Sequence, residues 1–266
     1  MQRKGIIIAA ALAIGAIALA IAGTAAQNAE HDRLYQVSTI DALMLGDFDG
    51  SMTIADLGQK GDTGIGTFDR LDGEMVMLDG TAWQARVDGS VSAAPTSETT
   101  PFASVARFGP DRTGPLGTAA NFTEAEARLN AYLSSNTGLF AMARVDGTFP
   151  YIRVRSEPAQ EKPYPNLTTA LAGQKVYELR NTTGTLVGLY SPSFSDGVSV
   201  PGWHLHFVSA DRHSGGHVLD VASDGTARIT IDDLPSFTVA LPPWAPPTAA
   251  ATQTMSPDLA AVEKGQ

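Results

Sequence analysis

The sequence predicts an α+β fold rich in β-structure. Three observations carry this: 26 Gly and 16 Pro are spread along a chain of 266 residues, Asp-Gly turn signals separate short β-favouring runs, and one helix is clearly marked. We expect two linked domains, an N-terminal mixed β-sheet with a covering helix over residues 31–156 and a C-terminal antiparallel sheet or barrel over 157–241. A Pro/Ala-rich spacer and tail over 242–266 would follow. The length is sufficient to bury a hydrophobic core without staples.

Arg3 and Lys4 precede an uncharged apolar run from Gly5 to Ala22 and then small residues through Ala26. This is the pattern of a secretory signal over residues 1–26, cut after Ala25 or Ala26, which would place the protein in the periplasm or outside the cell. The rival is an uncleaved anchor, because the run just reaches the length of a membrane span. Within Tyr35 to Leu45 a short helix is expected, capped by Ser38. Strands are expected at Gly64–Arg70, Glu74–Leu78, Thr81–Val87 and Ser90–Ala93, a meander joined by Asp-Gly turns. The marked helix runs from Thr123 to about Ser134: Thr123 and Glu126 read as a capping box, and Ala125, Leu129, Tyr132 and Leu133 form one apolar stripe.

Gly138–Val145 and Phe149–Arg155 read as two strands around Asp146-Gly147, and the polar stretch Glu157–Asn166 as the loop between the halves. A short helix at Leu167–Ala172 follows. The remaining strands are Val176–Leu179, Thr185–Tyr190, Trp203–Val208, His217–Val221, Ala227–Ile231 and Phe237–Leu241, all assigned to the second half.

Composition narrows the chemistry. A net charge of −10 is the wrong sign for a protein that neutralises phosphates, so nucleic acid is an unsuitable partner. With no cysteine, disulfides, thiolate metal sites and Cys nucleophiles are excluded, and any metal must be held by His and carboxylates. Four of the five histidines, His204, His206, His213 and His217, fall in one 14-residue window. In Trp203-His204-Leu205-His206-Phe207 the two imidazoles sit at i and i+2, so on a strand they project from one face about 6.6 Å apart, near enough to share an ion. A Ser209–Gly216 loop then returns the chain so that a third imidazole can approach. Three His with an open position suit catalytic zinc, and other divalent ions with imidazole affinity fit as well. Spacing leaves the choice between His213 and His217 open. Taken one at a time, Glu74, Glu263 and the arginines of Arg153-Val154-Arg155 read as ordinary surface residues.

Together the segments Tyr35–Gly50, Gly64-Ile-Gly-Thr-Phe68, Leu71-Asp-Gly-Glu74, Gln160-Glu-Lys-Pro-Tyr164, Gly202-Trp-His-Leu-His-Phe207 and Gly215-Gly-His-Val-Leu-Asp220 resemble the alpha-acetolactate decarboxylases. That resemblance implies two linked β-rich domains, the second carrying a zinc held by His204, His206 and His217, with His213 outside the shell. It further implies that Thr67, Glu74, Arg155 and Glu263 complete the site, and that the protein is a homodimer. The implied activity is zinc-dependent decarboxylation of (S)-2-acetolactate to (R)-acetoin and carbon dioxide through a metal-stabilised enediolate, the proton coming from Glu263 or Glu74. Two other readings fit the H-x-H pattern. A cupin-like metalloenzyme would carry a Glu about four residues after the second His, a position held here by Ala210. A non-catalytic zinc- or ligand-binding protein would keep the metal without turnover.

Overall fold

The computed structural model describes residues 32–136 and 138–244. The expected signal segment, most of the spacer and tail, and Glu263 lie outside the described residues. The chain runs through β1 (Arg33–Val37), α1 (Ile40–Met44), β2 (Met52–Thr53), α2 (Ile54–Gly58), β3 (Thr63–Thr67), β4 (Glu74–Leu78) and β5 (Thr81–Ala85). It continues through β6 (Val91–Ala93), β7 (Thr99–Thr100), β8 (Ala103–Ala106), β9 (Arg112–Pro115), β10 (Thr118–Ala119), α3 (Phe122–Asn130) and β11 (Phe140–Ser156). The last elements are α4 (Leu167–Ala170), β12 (Lys175–Ser191), β13 (Gly202–Ser209), β14 (Gly215–Asp224), β15 (Arg228–Leu234) and β16 (Ser236–Ala240).

Two seven-stranded sheets hold these strands, in the orders β16-β1-β8-β3-β4-β5-β6 and β10-β14-β13-β12-β11-β15-β9, and β2 pairs separately with β7. The first sheet is mixed, because β16 runs parallel to β1. The second is antiparallel, and an extra β14–β11 pairing closes β11, β12, β13 and β14 into a small barrel. Closure leaves those four strands without a free edge over that length. Sheet membership crosses position 156: β9, β10 and β11 belong to the second sheet, and β16 returns from the far end of the chain to the first.

Several local expectations are corrected. Ahead of the expected helix, Tyr35–Val37 form strand, because β1 is paired on both sides, with β16 and β8. The helix begins after Thr39, whose hydroxyl accepts from the Ala42 N–H, while Ser38 adopts φ 61° and cannot cap it. Likewise the cap of α3 stands two residues before the expected Thr123: Asn121 Oδ1 accepts from Glu124 N, and Glu124 Oε2 accepts from Ala120 N. Its buried Ala125 and Leu129 pack on the core of the second sheet, not the first. The strand expected to reach Arg70 stops at Thr67, where the chain turns through left-handed Arg70 and Leu71.

The Asp146-Gly147 hairpin does not form. Asp146 and Gly147 sit in the middle of β11 opposite Thr185 and Gly184 of β12, and Thr185 Oγ1 donates to Asp146 Oδ1 at 2.6 Å. A Cβ on Gly147 would stand 2.7 Å from Ala227, so this glycine serves close packing and not a turn. One irregularity remains. Up to Phe149 the odd residues of β11 (Ala141, Ala143, Val145, Phe149) face the barrel core, whereas beyond Pro150 the even residues Ile152 and Val154 do. Pro150 has no N–H to pair, and its opposite, Asn181, has φ 50°. That switch of face turns Arg155 away from the barrel core.

The sheets are joined by a second apolar layer in which Leu34, Ile65, Val76 and Leu78 of the first meet Met142, Val187, Leu189 and Val208 of the second. The crossover from β8 to β9 is held by Asp232 of β15, which accepts from Gly109 N at 3.0 Å. Burial is the main reason the Asp232 carboxyl is pushed up to about 7, and Asp111, Asp32 and Asp233 push the same way. An acid whose folded value lies above its unfolded one contributes stability that is whole below about pH 4 and lost as pH rises through 7. Asp232→Asn, which keeps an acceptor for Gly109, is therefore expected to be more stable than the wild type at pH 8, with the difference in urea midpoint closing towards pH 4.

Candidate metal centre and active site

β13 alternates as its sequence requires. Trp203, Leu205 and Phe207 face the barrel core, and His204, His206 and Val208 face the layer between the sheets. Pairing then sets the neighbours. His217 of β14 lies opposite both His206 of β13 and Arg155 of β11, so Arg155, His217 and His206 form one lateral row across three strands. A bulge in β14, opposite Arg153 and Val154, accommodates Leu219 as an extra residue and keeps this register. Gly216 enforces the close approach beside it: φ is 143°, and a Cβ there would stand 2.4 Å from the Arg155 carbonyl oxygen.

The imidazoles converge. His204 Nε2 is 2.9 Å from His217 Nδ1 and 3.0 Å from His206 Nε2. His206 Nδ1 lies 2.8 Å from the Met75 carbonyl oxygen of β4, a contact that places its proton on Nδ1 and leaves Nε2 as a lone pair facing the cluster. Burial first, and the Arg155 charge second, lower His204 to about 3; burial and then the His204 charge hold His206 well below its ordinary value. Both rings are therefore neutral at pH 7, the form that binds metals. Two nitrogens on one tetrahedral zinc at about 2.0–2.1 Å stand about 3.3 Å apart, close to the separations found. Three imidazoles offering nitrogens to one point, His204 and His206 among them neutral, fit a divalent cation. His213 is elsewhere, 83% exposed in the β13–β14 loop, so the choice that spacing left open falls on His217.

The first sheet supplies the facing groups. Thr67 and Glu74 are cross-strand partners at the mouth of the β3–β4 hairpin. Gly73 makes that turn possible, with φ 80° and a would-be Cβ 2.3 Å from Ala85 O. Glu74 Oε2 is 3.3 Å from His206 Nε2, and Glu74 Oε1 is 3.2 Å from Arg155 Nη1. The Thr67 hydroxyl donates to Gly73 O at 2.7 Å, leaving its oxygen as an acceptor. A further residue that sequence reasoning left in a loop, Glu157, is also here: its Oε2 is 3.1 Å from the same Arg155 Nη1, and it is 1% exposed. The only sequence signal for it was a carboxylate two residues beyond Arg155, which is no signal on an ordinary strand end.

Thr67, Glu74, Arg155, Glu157 and the three histidines line one cavity of about 400 Å³, open space at its mouth included. Its opposite wall is apolar: Ile40 and Leu43 of α1, Leu71, Phe102, and Leu167 of α4 with Leu171 just beyond. The Gln160–Tyr164 segment ties this wall down, with Lys162 Nζ and Tyr164 Oη donating to Asp49 at 2.6 and 2.9 Å. A small polar anion with short alkyl groups matches such a lining.

Two outcomes are expected from this geometry. His204→Ala should weaken zinc binding by more than about 100-fold in calorimetric titration, beyond the 10- to 100-fold cost of losing an outer partner. Gly216→Ala should cost about 1–3 kcal/mol of stability from backbone strain alone, measured by urea unfolding, and should lower metal affinity as β14 shifts from Arg155.

The alpha-acetolactate decarboxylase family profile matches residues 34–246. The chain is 47% identical over 216 residues to an alpha-acetolactate decarboxylase of Methanosarcina mazei, covering 81% of this chain and 74% of that one. It is 38% identical over 218 residues to that of Brevibacillus brevis, covering 82% and 76%. The crystal structure of alpha-acetolactate decarboxylase from Bacillus subtilis superposes with a TM-score of 0.80 at 32% identity, covering 88% of this chain and all of that one. With a profile match over most of its length, this chain belongs to the alpha-acetolactate decarboxylase family.

Proposed function

We propose that this protein decarboxylates (S)-2-acetolactate to (R)-acetoin and carbon dioxide, with zinc or a similar divalent ion held by His204, His206 and His217. One observation carries the reading: three imidazole nitrogens meet beside a buried arginine and two buried carboxyl groups in a single cavity. The bound cation would supply Lewis acidity, drawing off the electron pair released when the carboxylate departs.

The chain's own groups account for the rest. Arg155 bears the charge that orients the substrate carboxylate, held in place from behind by Glu74 and Glu157. Thr67, its proton already given to Gly73 O, presents an acceptor for the substrate hydroxyl. Loss of carbon dioxide breaks one carbon–carbon bond and leaves an enediolate electron pair that needs one proton at carbon. Glu74 stands where that proton would be delivered, between His206 and Arg155. Glu263 is the second proton donor in this reading, reaching the site from the tail. The apolar wall of Leu43, Leu71 and Phe102 takes the methyl groups and keeps bulk water from the carbon. Export through residues 1–26 and a homodimeric state belong to the same proposal.

Purified protein with zinc should release carbon dioxide and acetoin from racemic acetolactate, stop when chelated, and resume on metal addition. Metal bound at one per chain with no acetoin formed would make it a binding protein instead. Removing residues 256–266 should leave metal content intact and reduce kcat by about 10²- to 10⁴-fold, the range for a lost general acid; unchanged kcat would take Glu263 out of the site.

A further inference from the structure

The cavity divides by chemistry. Thr67, Glu74, Arg155 and the histidines stand on strands of the two sheets, and the facing wall is apolar. Part of that wall comes from neither sheet. β11 ends at Ser156, paired with Lys175 where β12 begins, and the chain between them makes an excursion that carries α4 and a 3₁₀ turn, Leu171–Gly173. The two legs of the excursion meet at its neck, where a Cβ on Gly173 would stand 3.2 Å from the Pro158 ring. Within this one turn of chain Leu167, Ala170 and Leu171 are buried and Thr168 and Thr169 exposed. Leu167 and Leu171, four positions apart, share a face, and both line the cavity. The backbone hydrogen bonds here are local: Thr169 N donates to Asn166 Oδ1, Ala170 N to Asn166 O, and Gln174 N to Leu171 O. Apolar contact seats the turn, with Leu167, Ala170 and Leu171 in one cluster with Leu43, Phe48 and Phe102. A side chain can therefore change on α4 without moving the strands that carry the polar groups.

We propose that Leu167 and Leu171 are specificity-determining residues, which set how long an alkyl substituent the cavity admits on a 2-hydroxy-3-oxo acid. The inference rests on the activity proposed above. Arg155 and the histidine cluster answer to the carboxylate and oxygen substituents of such a substrate, so its hydrocarbon is left to the apolar wall. Methyl groups meet Leu43, Leu71 and Phe102. A longer chain extends towards α4, where each added methylene has to be fitted against Leu167 and Leu171. Selectivity is thereby separated from chemistry: the sheets hold the groups that react, and the excursion sets the room beyond them.

The test compares kcat/KM for acetolactate with its 2-ethyl and 2-propyl homologues in the zinc-loaded full chain. In the wild type kcat/KM should fall from the methyl to the propyl member, since one methylene in an apolar pocket changes it by about 10- to 200-fold. Leu167→Ala and Leu171→Ala should each raise the propyl-to-methyl ratio by about tenfold or more, with metal content unchanged, and Leu171→Phe should lower it. Where an alanine variant does not fold, Leu167→Val and Leu171→Val, each one methylene shorter, carry the same comparison. A ratio unmoved by substitution at both positions would overturn the proposal, as would a wild type that turns over all three members equally. A readout free of turnover is calorimetric binding of the matching 2-hydroxy-2-alkyl acids that lack the ketone and so do not react. Their affinities should follow the same order and shift with the same variants. Shifted affinities in a chain that makes no acetoin would sink the proposed reaction and leave Leu167 and Leu171 standing; acetoin formation with unmoved ratios would do the reverse.

Discussion

The site depends on β14 pairing with β13 and β11 at the same level. That double pairing puts His206, His217 and Arg155 in one row, and it is also the contact that closes the barrel. Antiparallel partners directly opposite one another project from the same face, so the row follows from backbone hydrogen bonds and not from side-chain attraction. Two devices keep the faces correct: the bulge at Leu219, and the switch at Pro150 that turns odd-numbered residues outward on the last stretch of β11. Without the second, Arg155 would share the face of Val145 and Phe149 and point into the barrel core.

The second constraint is the apolar layer between the sheets. His204 and His206 continue the face that carries Val208, and Glu74 continues the face that carries Val76 and Leu78. The candidate metal centre is thus the polar end of a hydrophobic sandwich. Its walls exclude water, which strengthens every charge interaction inside it and keeps His204 and His206 neutral. The Nδ1 contact of His206 with Met75 O makes the first sheet a partner in the metal site, although every histidine ligand belongs to the second.

Much of this was legible in the sequence, for identifiable reasons. Short-range signals worked where one strand or one turn decides the outcome: the H-x-H alternation, the Asp-Gly turns between β4, β5 and β6, and the apolar stripe of α3. They failed where pairing partners decide. Asp146-Gly147 carries a hairpin signal, yet two 17-residue strands zip past it. Phe237 sits on a β-run beside the second half, yet its partner is Leu34, some 200 positions earlier. Glu157 was illegible for the same reason, since it shares Arg155 Nη1 with Glu74, which lies on the other sheet.

Energetics separate what stabilises this fold from what the site costs. Burying an arginine with two carboxyl groups carries a desolvation penalty of several kcal/mol per ion that attraction repays only with good geometry, and apolar residues of the same volume would serve the fold as well or better. Three imidazole nitrogens brought within 4.8 Å of one another add a further cost that a cation removes. Metal binding and folding stability are therefore linked here, because a cation that prefers the assembled cluster stabilises the state in which β11, β13 and β14 are in register. A chain selected for stability alone would have extended Val208 and Val76 into that layer. Its polar end is retained against that gradient, and this is the physical ground for treating the row of Arg155, His217 and His206 as chemistry and not as packing.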